Sequence, residues 1–373
     1  MGKTAGCCLK KYFHLRLMEM YMKEAIGNKR FQAARSVKSN KREVKTMGHV
    51  FPRKDKKYDI AALGEALIDF TEAGSNPSGT RLFEQNPGGA PANLVCAAAR
   101  FGARTAFIGK VGDDMHGRFL IRTLEECGVD TAGVVTDGDV FTTLAFVALT
   151  GGEREFSFAR KPGADTCLTS EEINNSIIDS AAIFHIGSLS LTNEPARSAT
   201  YSAIKRAAGA GAIISYDPNY RPILWSSREE ALSQMKGPLS AAQAVKLSAD
   251  EAEFLCGCSD PESAAKKLSL AGIPIIAVTL GKEGALVCRE GRCETVAGYE
   301  AEAVDTTGAG DSFWGAFLYC LLKSGKAPEE VTLEEAASFA GFANAAASLC
   351  VTRRGGIPAM PTAAEIRRKM EKS

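Results

Sequence analysis

An α/β fold on a mostly parallel sheet, with a small β lid, is what this sequence predicts, and three observations predict it. From Ala181 onward, short apolar strands alternate with helical stretches. Glycine turns sit where strand character gives way to helix, most clearly at Gly88-Gly89 and at Gly308-Ala309-Gly310. Between Phe141 and Phe158, two β-rich runs flank Gly151-Gly152, a hairpin signal that stands outside the alternation.

At 373 residues, the chain is long enough for one large α/β domain or two small ones. Its 45% hydrophobic and 24% charged content is that of an ordinary globular protein. Residues 1 to 57 hold 16 Lys/Arg against 4 Asp/Glu, leaving 29 against 40 for the remainder. The body is therefore mildly acidic, which argues against nucleic acid as its main partner. No run of about 18 apolar residues suggests a membrane span, and the N-terminus lacks the apolar core of a secretory signal. Eleven cysteines, an odd number with no paired Cys-x-x-Cys spacing, read as reduced core thiols in a cytoplasmic protein. Metal ligation by Cys256 and Cys258 is the alternative. His14, His49, His116 and His185 are too scattered to propose a triad.

In chain order, residues 1–57 form a basic N-terminal extension expected to be disordered or to precede a natural start at Met47; a targeting segment is the third reading. The folded domain is expected over 58–367, with lid segments at about 70–87 and 141–163. It opens with β character from Asp59 to Phe70, broken at Gly64. Asp69 ends an apolar run, where a carboxylate either closes a turn or faces a cleft. Gly88-Gly89 then leads into a small-residue helix with Pro91 in its first turn. The paired glycines let a ligand hydroxyl touch backbone, and Asn93 offers both donor and acceptor; a tight helix entry with a solvated Asn explains the same residues.

A strand from Thr105 to Gly109, a turn at Val111-Gly112-Asp113-Asp114 and a helix from His116 to Cys127 follow. After the hairpin, Arg160 and Lys161 place two cations near whatever the hairpin covers. The regular part comprises strand Ala182 to Ile186, helix Pro195 to Gly209, and strand Ala212 to Tyr216 ending in Asp217-Pro218-Asn219. Polar groups are thus delivered to the carboxyl edge of a parallel sheet, where ligands of such sheets bind. Strand Ala244 to Leu247 runs into Ser248-Ala249-Asp250-Glu251, a capping-box spacing in which Glu251 either caps or acts in the site. Strand Ile275 to Leu280 precedes a glycine turn at Gly281 and Gly284 with two short strands. The helix from Leu333 to Leu349 is rich in alanine, and a surface helix closes the chain.

The organising stretch is Asp305 to Asp311. Gly308, Ala309 and Gly310 carry almost no side chain, so backbone N–H groups and the first amides of the next helix can surround an anion such as a phosphate. Asp311 would then sit beside that anion, where a second negative charge is tolerable if it accepts a proton or organises a metal. It is the candidate general base; as an isolated motif, the same residues would also describe a capped helix after a plain turn.

Together, the segment from Gly88 through Asp114 and the segment from Asp305 through Phe313 resemble the ribokinase-like (PfkB) carbohydrate kinases, over roughly residues 58 to 362. Gly64 to Phe70, Ser215 to Arg221 and Lys246 to Glu251 look most like the fructokinases of that family. The resemblance implies a three-layer α/β/α ribokinase-like fold and ATP-dependent phosphoryl transfer to a sugar hydroxyl, assisted by Mg2+. Asp311 matches the family's base, and Gly308, Ala309 and Gly310 match its anion hole. Asp69, Gly88, Gly89 and Asn93 match sugar-binding positions, with Arg160 reaching the sugar or phosphate side. The family's nucleotide loops place ATP against Thr279, Gly281, Gly284 and Asn344. Glu251 would act on magnesium through water, and Asp305 marks where many relatives bind potassium. Ser248 departs from the family's Asn-x-x-Glu, so this chain lacks that amide.

The expected substrate is D-fructose; 2-keto-3-deoxygluconate or another sugar is the alternative, since Arg160 and Arg221 suit a carboxylate. A catalytically silent sugar sensor or scaffold is the competing class, and the intact Asp311 and glycine turn argue against it. The expected partners are a sugar and ATP, with no nucleic acid or membrane. A homodimer paired through the lid is also expected.

Overall fold

The computed structural model describes residues 56–150 and 153–372. Residues 1–55, most of the basic extension, lie outside the described residues. Thirteen strands and ten helices follow one another among the described residues. The first part runs β1 (Tyr58–Leu63), β2 (Leu67–Ser75), β3 (Arg81–Gly88), α1 (Ala90–Arg100), β4 (Thr105–Gly112), α2 (Met115–Glu126), β5 (Val129–Asp137), β6 (Leu144–Thr150) and β7 (Glu153–Ala159). The middle comprises α3 (Asn175–Asp179), β8 (Ala181–Ile186), α4 (Ala196–Gly209), β9 (Ile213–Tyr216), α5 (Arg228–Lys236), β10 (Ala244–Ser248), α6 (Ala249–Cys256), α7 (Pro261–Leu270) and β11 (Ile275–Thr279). The chain ends with β12 (Gly284–Arg289), β13 (Arg292–Ala297), α8 (Ala309–Ser324), α9 (Leu333–Cys350) and α10 (Ala363–Met370).

Nine strands form one sheet in the order β13-β12-β11-β10-β9-β8-β1-β4-β5, parallel except at one edge, where β12 runs antiparallel to both β11 and β13. Its strands read as apolar runs because both faces are covered. Ile60 and Ala62 of β1 pack with α1, α8 and α9; Ala61 and Leu63, pointing the other way, pack with α4, α5, α6 and α7. The result is the three-layer ribokinase-like arrangement that the sequence predicts. The remaining strands form a four-stranded sheet, β3-β2-β6-β7.

β1 and β2 are separated by only Gly64, Glu65 and Ala66, yet belong to different sheets. The break at Gly64 is therefore a crossing between layers. A Cβ there would meet the Pro91 ring of α1, so the crossing passes against the helix start.

Several expectations need correction. The turn predicted at Val111 is strand: β4 continues to Gly112 because Lys110 and Gly112 pair with Val135 and Asp137 of β5, a strand the sequence did not announce. Asp114 instead closes the turn, its Oδ1 accepting from the His116 and Gly117 amides at 2.8 Å as the cap of α2. The reading of all cysteines as reduced also fails, because Cys288 and Cys293 are joined in a disulfide. They face each other across β12 and β13, a pairing invisible in a list of Cys spacings. Cys256 and Cys258 direct their thiols to the backbone carbonyls of Ala264 and Cys256. Among the described residues, no group of three or more His, Cys, Asp or Glu could hold a metal ion, and no helix is long and apolar enough to cross a membrane.

Candidate active site

A cleft of ≈ 960 Å³ opens between the carboxyl ends of the parallel strands and the four-stranded sheet. Its size suits a pair of small ligands, and its place is where parallel α/β sheets bind them. Asp311, Asn93, Lys246, Asp69, Glu251 and Asp305 are among its lining residues.

Asp311 stands in the first turn of α8, behind a turn that only glycine makes without strain, since Gly308 has φ 77°. Phe313, Trp314, Phe317 and Leu318 anchor the helix in the core, each contributing roughly 1.5–3 kcal/mol. That burial fixes where Asp311 points. Its Oδ2 accepts a 2.7 Å hydrogen bond from Asn93 Nδ2 on α1. The two helices lie close enough for this because α8 carries Gly315, where a Cβ would stand 3.0 Å from the Leu94 carbonyl. Burial, helped by the charge of Asp217, pushes the Asp311 carboxyl up to about 6, against the opposing pull of Asn93, Lys246 and Arg221.

On the other wall, Asp69 of β2 is pushed up to about 7 by burial, with Arg221 pulling it down and Asp311 and Asp305 pushing further. A Cβ on Gly88 would overlap its Oδ2, so that glycine is what makes room for the carboxylate. Gly89, at φ 108°, passes so close to the Glu65 carbonyl that a Cβ would overlap it too. Asn93 has spent its amide on Asp311, and its buried Oδ1 has no partner, leaving an acceptor beside the Gly356 backbone.

Asp305 accepts from the Thr307 amide (2.9 Å) and hydroxyl (2.7 Å) with one oxygen, and from the Gly355 amide (3.0 Å) with the other. It therefore ties the strand-to-helix turn to the loop after α9. Glu251 closes the capping box of α6 as its spacing predicted, accepting from Ser248 N; its other oxygen accepts from Tyr220 N, both at 2.7 Å. The carboxylate nonetheless lines the cleft with lone pairs to spare.

The nucleotide expectation divides. Thr279 lines the cleft at the end of β11, and Gly281 begins the next turn. Asn344 donates to the carbonyls of Val296 and Ala297, both at 3.0 Å, and Gly284 packs under that same backbone. Neither of these two is among the residues that line the cleft.

The resemblance sends Arg160 to the sugar or phosphate side; here it is buried, is not among the residues lining the cleft, and spends four of its five N–H donors within the fold. It donates to Asp165 (2.6 and 2.9 Å), Thr192 Oγ1 (2.9 Å) and the Leu189 carbonyl (2.9 Å). Arg221, Arg228, Lys246 and Arg354 are the cations among the residues that line the cleft.

Lys246 and Glu65 escape the sequence reading as site candidates, and Asp217, read only as a polar group at the sheet edge, is given no role. Lys246 and Asp217 form a buried ion pair at 2.9 Å, and Glu65, 2% exposed, accepts from Ala90 N at 2.9 Å. Each lies in an apolar run, and an ionisable side chain within such a run is the signal that would have found it.

The model of the pfkB family carbohydrate kinases matches residues 57–363. The chain belongs to this family. It is an ATP-dependent sugar kinase. It is 43% identical to probable fructokinase-5 of Arabidopsis thaliana over 320 residues, covering 84% of this chain and 97% of the relative. With fructokinase-1 of Oryza sativa subsp. japonica it shares 44% identity over 317 residues, 84% of this chain and 97% of that one. Among solved pfkB-like folds, the fructokinase from Xylella fastidiosa with bound ATP superposes with TM-score 0.75 at 33% identity, covering 84% of this chain and 99% of that one. A fructokinase double mutant from Vibrio cholerae O395, bound to fructose, ADP and potassium ion, gives TM-score 0.75 at 33% identity over 85% of this chain and 99% of that one. A putative ribokinase II from E. coli in complex with ATP and magnesium gives 0.75 at 28% over 85% and 100%.

Proposed function

We propose that this kinase transfers the γ-phosphoryl group of ATP to D-fructose, giving fructose 6-phosphate and ADP. One observation carries the mechanism: Asp311 stands on the cleft floor at the head of the glycine-turn helix, fixed by Asn93 and facing the wall that holds Asp69. Curated relatives named fructokinase at 43–44% identity support the choice of sugar.

Phosphoryl transfer asks the protein for alignment, neutralisation of the transferring oxygens and a base for the hydroxyl. In this reading, Asp69 and the Gly88 and Gly89 backbone orient the sugar, and the Asn93 amide keeps Asp311 aimed at its hydroxyl. The hydroxyl proton passes to Asp311 while its oxygen bonds the γ-phosphorus, and the bond from phosphorus to the bridging oxygen breaks towards ADP. The amides of the Gly308 to Gly310 turn receive the phosphoryl oxygens. Val147 and Phe158 of the four-stranded sheet also line the cleft, which suits a lid that excludes water as competing acceptor.

Two single carboxylates, completed by water and nucleotide oxygens, would serve the metal ions in this reading. Glu251, a buried carboxylate on the cleft wall, would hold Mg2+ through water. The Asp305 turn, with its carboxylate and threonine oxygens, suits K+. Magnesium, when bound, neutralises the nucleotide phosphates. Thr279 and Gly281 would carry the adenine side. A cytoplasmic location accords with seven described cysteines remaining free. A second copy pairing across the four-stranded sheet is supported by the exposed Leu82 and Phe83 of β3; a monomer mass by light scattering would remove it.

The deciding assay is ADP release from MgATP with D-fructose, beside 2-keto-3-deoxygluconate and ribose, each with and without potassium. Turnover with fructose at sub-millimolar concentration is expected. Preference for 2-keto-3-deoxygluconate would assign Arg221 to a substrate carboxylate, and silence with every sugar would overturn the reading.

A further inference from the structure

Lys246 is a lysine where a core residue should be. It sits within β10, whose other residues are apolar or small, and is 6% exposed. Its one hydrogen bond is to Asp217 Oδ2 at 2.9 Å, and the other Asp217 oxygen takes the Asn219 amide at 3.2 Å. An ammonium has three N–H donors, so two are unspent. They are not aimed into apolar packing: Lys246 lines the cleft, and a Cβ added to Gly310 would stand 2.9 Å from its Nζ. The ammonium therefore rests against the first turn of α8, beside Asp311.

As a stabilising device this pair is a poor choice. Desolvating two charges costs several kcal/mol, and a well-packed apolar pair in the same place is often as stable or more so. The pair makes sense if the cation has a third partner. Asp217, Asp311 and Glu251 all face it and, against the cost of burial, hold it charged.

We propose that Lys246 is a catalytic residue whose ammonium contacts the phosphoryl group in transit, completing from beneath the cradle that the Gly308 to Gly310 amides form from the side. This rests on the phosphoryl-transfer reading above. Charge spread over the equatorial oxygens between donor and acceptor is met by two preset N–H donors and one full positive charge, in a site that needs no reorganisation to present them. Asp217 holds the ammonium in register without saturating it.

The test uses the full chain and three variants. Lys246→Met keeps the stem and removes the charge; Lys246→Met with Asp217→Asn also removes the carboxylate left unpaired, so a folding defect is separated from a catalytic one; Lys246→Arg retains charge. Expected results are a fall in kcat of about a hundredfold or more in both Met variants, sugar KM within about threefold, and partial recovery in Arg. Calorimetry of ADP with and without aluminium fluoride, a phosphoryl mimic, gives a readout independent of turnover. The wild type should gain affinity with the fluoride and the Met variants should lose that gain while binding ADP alone as before. Turnover within threefold of wild type in either Met variant, or an undiminished fluoride gain, overturns the assignment. The fluoride measurement judges Lys246 even where fructose proves to be the wrong sugar.

Discussion

Burial raises the carboxyls of Asp69, Asp311 and Glu65, and the last two have consequences that can be measured. Asp311, pushed up to about 6, is ionised and able to accept a proton at pH 8. As pH falls through 6 it takes up a proton from solvent and can no longer take one from the sugar, so kcat/KM should fall towards tenfold per pH unit below that point. A rate profile between pH 5 and 9 checks this; a flat profile down to pH 5 would deny Asp311 the role. Asp311→Ala should lower kcat at least about a hundredfold while leaving the melting temperature near wild type. Glu65 is raised from 4.5 to about 7, with one oxygen bonded to Ala90 N and the other buried without a partner. The folded state holds this proton more tightly than the unfolded chain, so its ionisation penalty is absent below about pH 4.5 and grows to about 3 kcal/mol as pH rises through 7. Glu65→Gln removes that dependence. The difference in melting temperature between variant and wild type should shift in favour of the variant from pH 5 to pH 8, and an unchanging difference would show that Glu65 does not titrate there.

Elements are where glycine acts. Gly89 precedes α1 at φ 108°, and a Cβ on it would overlap the Glu65 carbonyl. Gly102 shares the strained dihedral, at φ 97°, but has nothing within 4 Å. Gly102→Ala should therefore cost only the backbone term, about 1 kcal/mol, and Gly89→Ala at least about 2 kcal/mol, measured by urea unfolding. Equal losses would mean that the crossing from β1 to β2 is looser than it looks. The same comparison shows what was legible in the sequence. Local signals carried far: the Asp305 to Asp311 turn, the Gly88-Gly89 helix entry and the Ser248 capping box each lie within a few residues, so spacing alone located them. Asp217 and Lys246 meet only because β9 and β10 are neighbours, 29 residues apart in the chain. Arg160 shows the same limit: its nearness to the hairpin and to Asp165 was readable, but the Leu189 and Thr192 groups that also engage it are brought by the fold.

For the whole molecule, the family match begins at residue 57, and the described elements begin at Tyr58. A chain starting at Met47 should keep the kcat and melting temperature of the full-length protein; a loss of either would give the basic segment a part in the fold or the site. The larger consequence lies in how the cleft is shared between the two sheets. Asp311, Lys246 and Glu251 belong to the nine-stranded sheet and its helices, whereas Asp69, Val147 and Phe158 come from the four-stranded one. If the proposed roles hold, much of the acceptor wall and the phosphoryl-transfer machinery lie on separate sheets. Point changes in β2, β6 and β7 can retune the acceptor without disturbing the donor machinery, which makes this architecture open to inheriting new sugars, and those strands the natural target for engineering one.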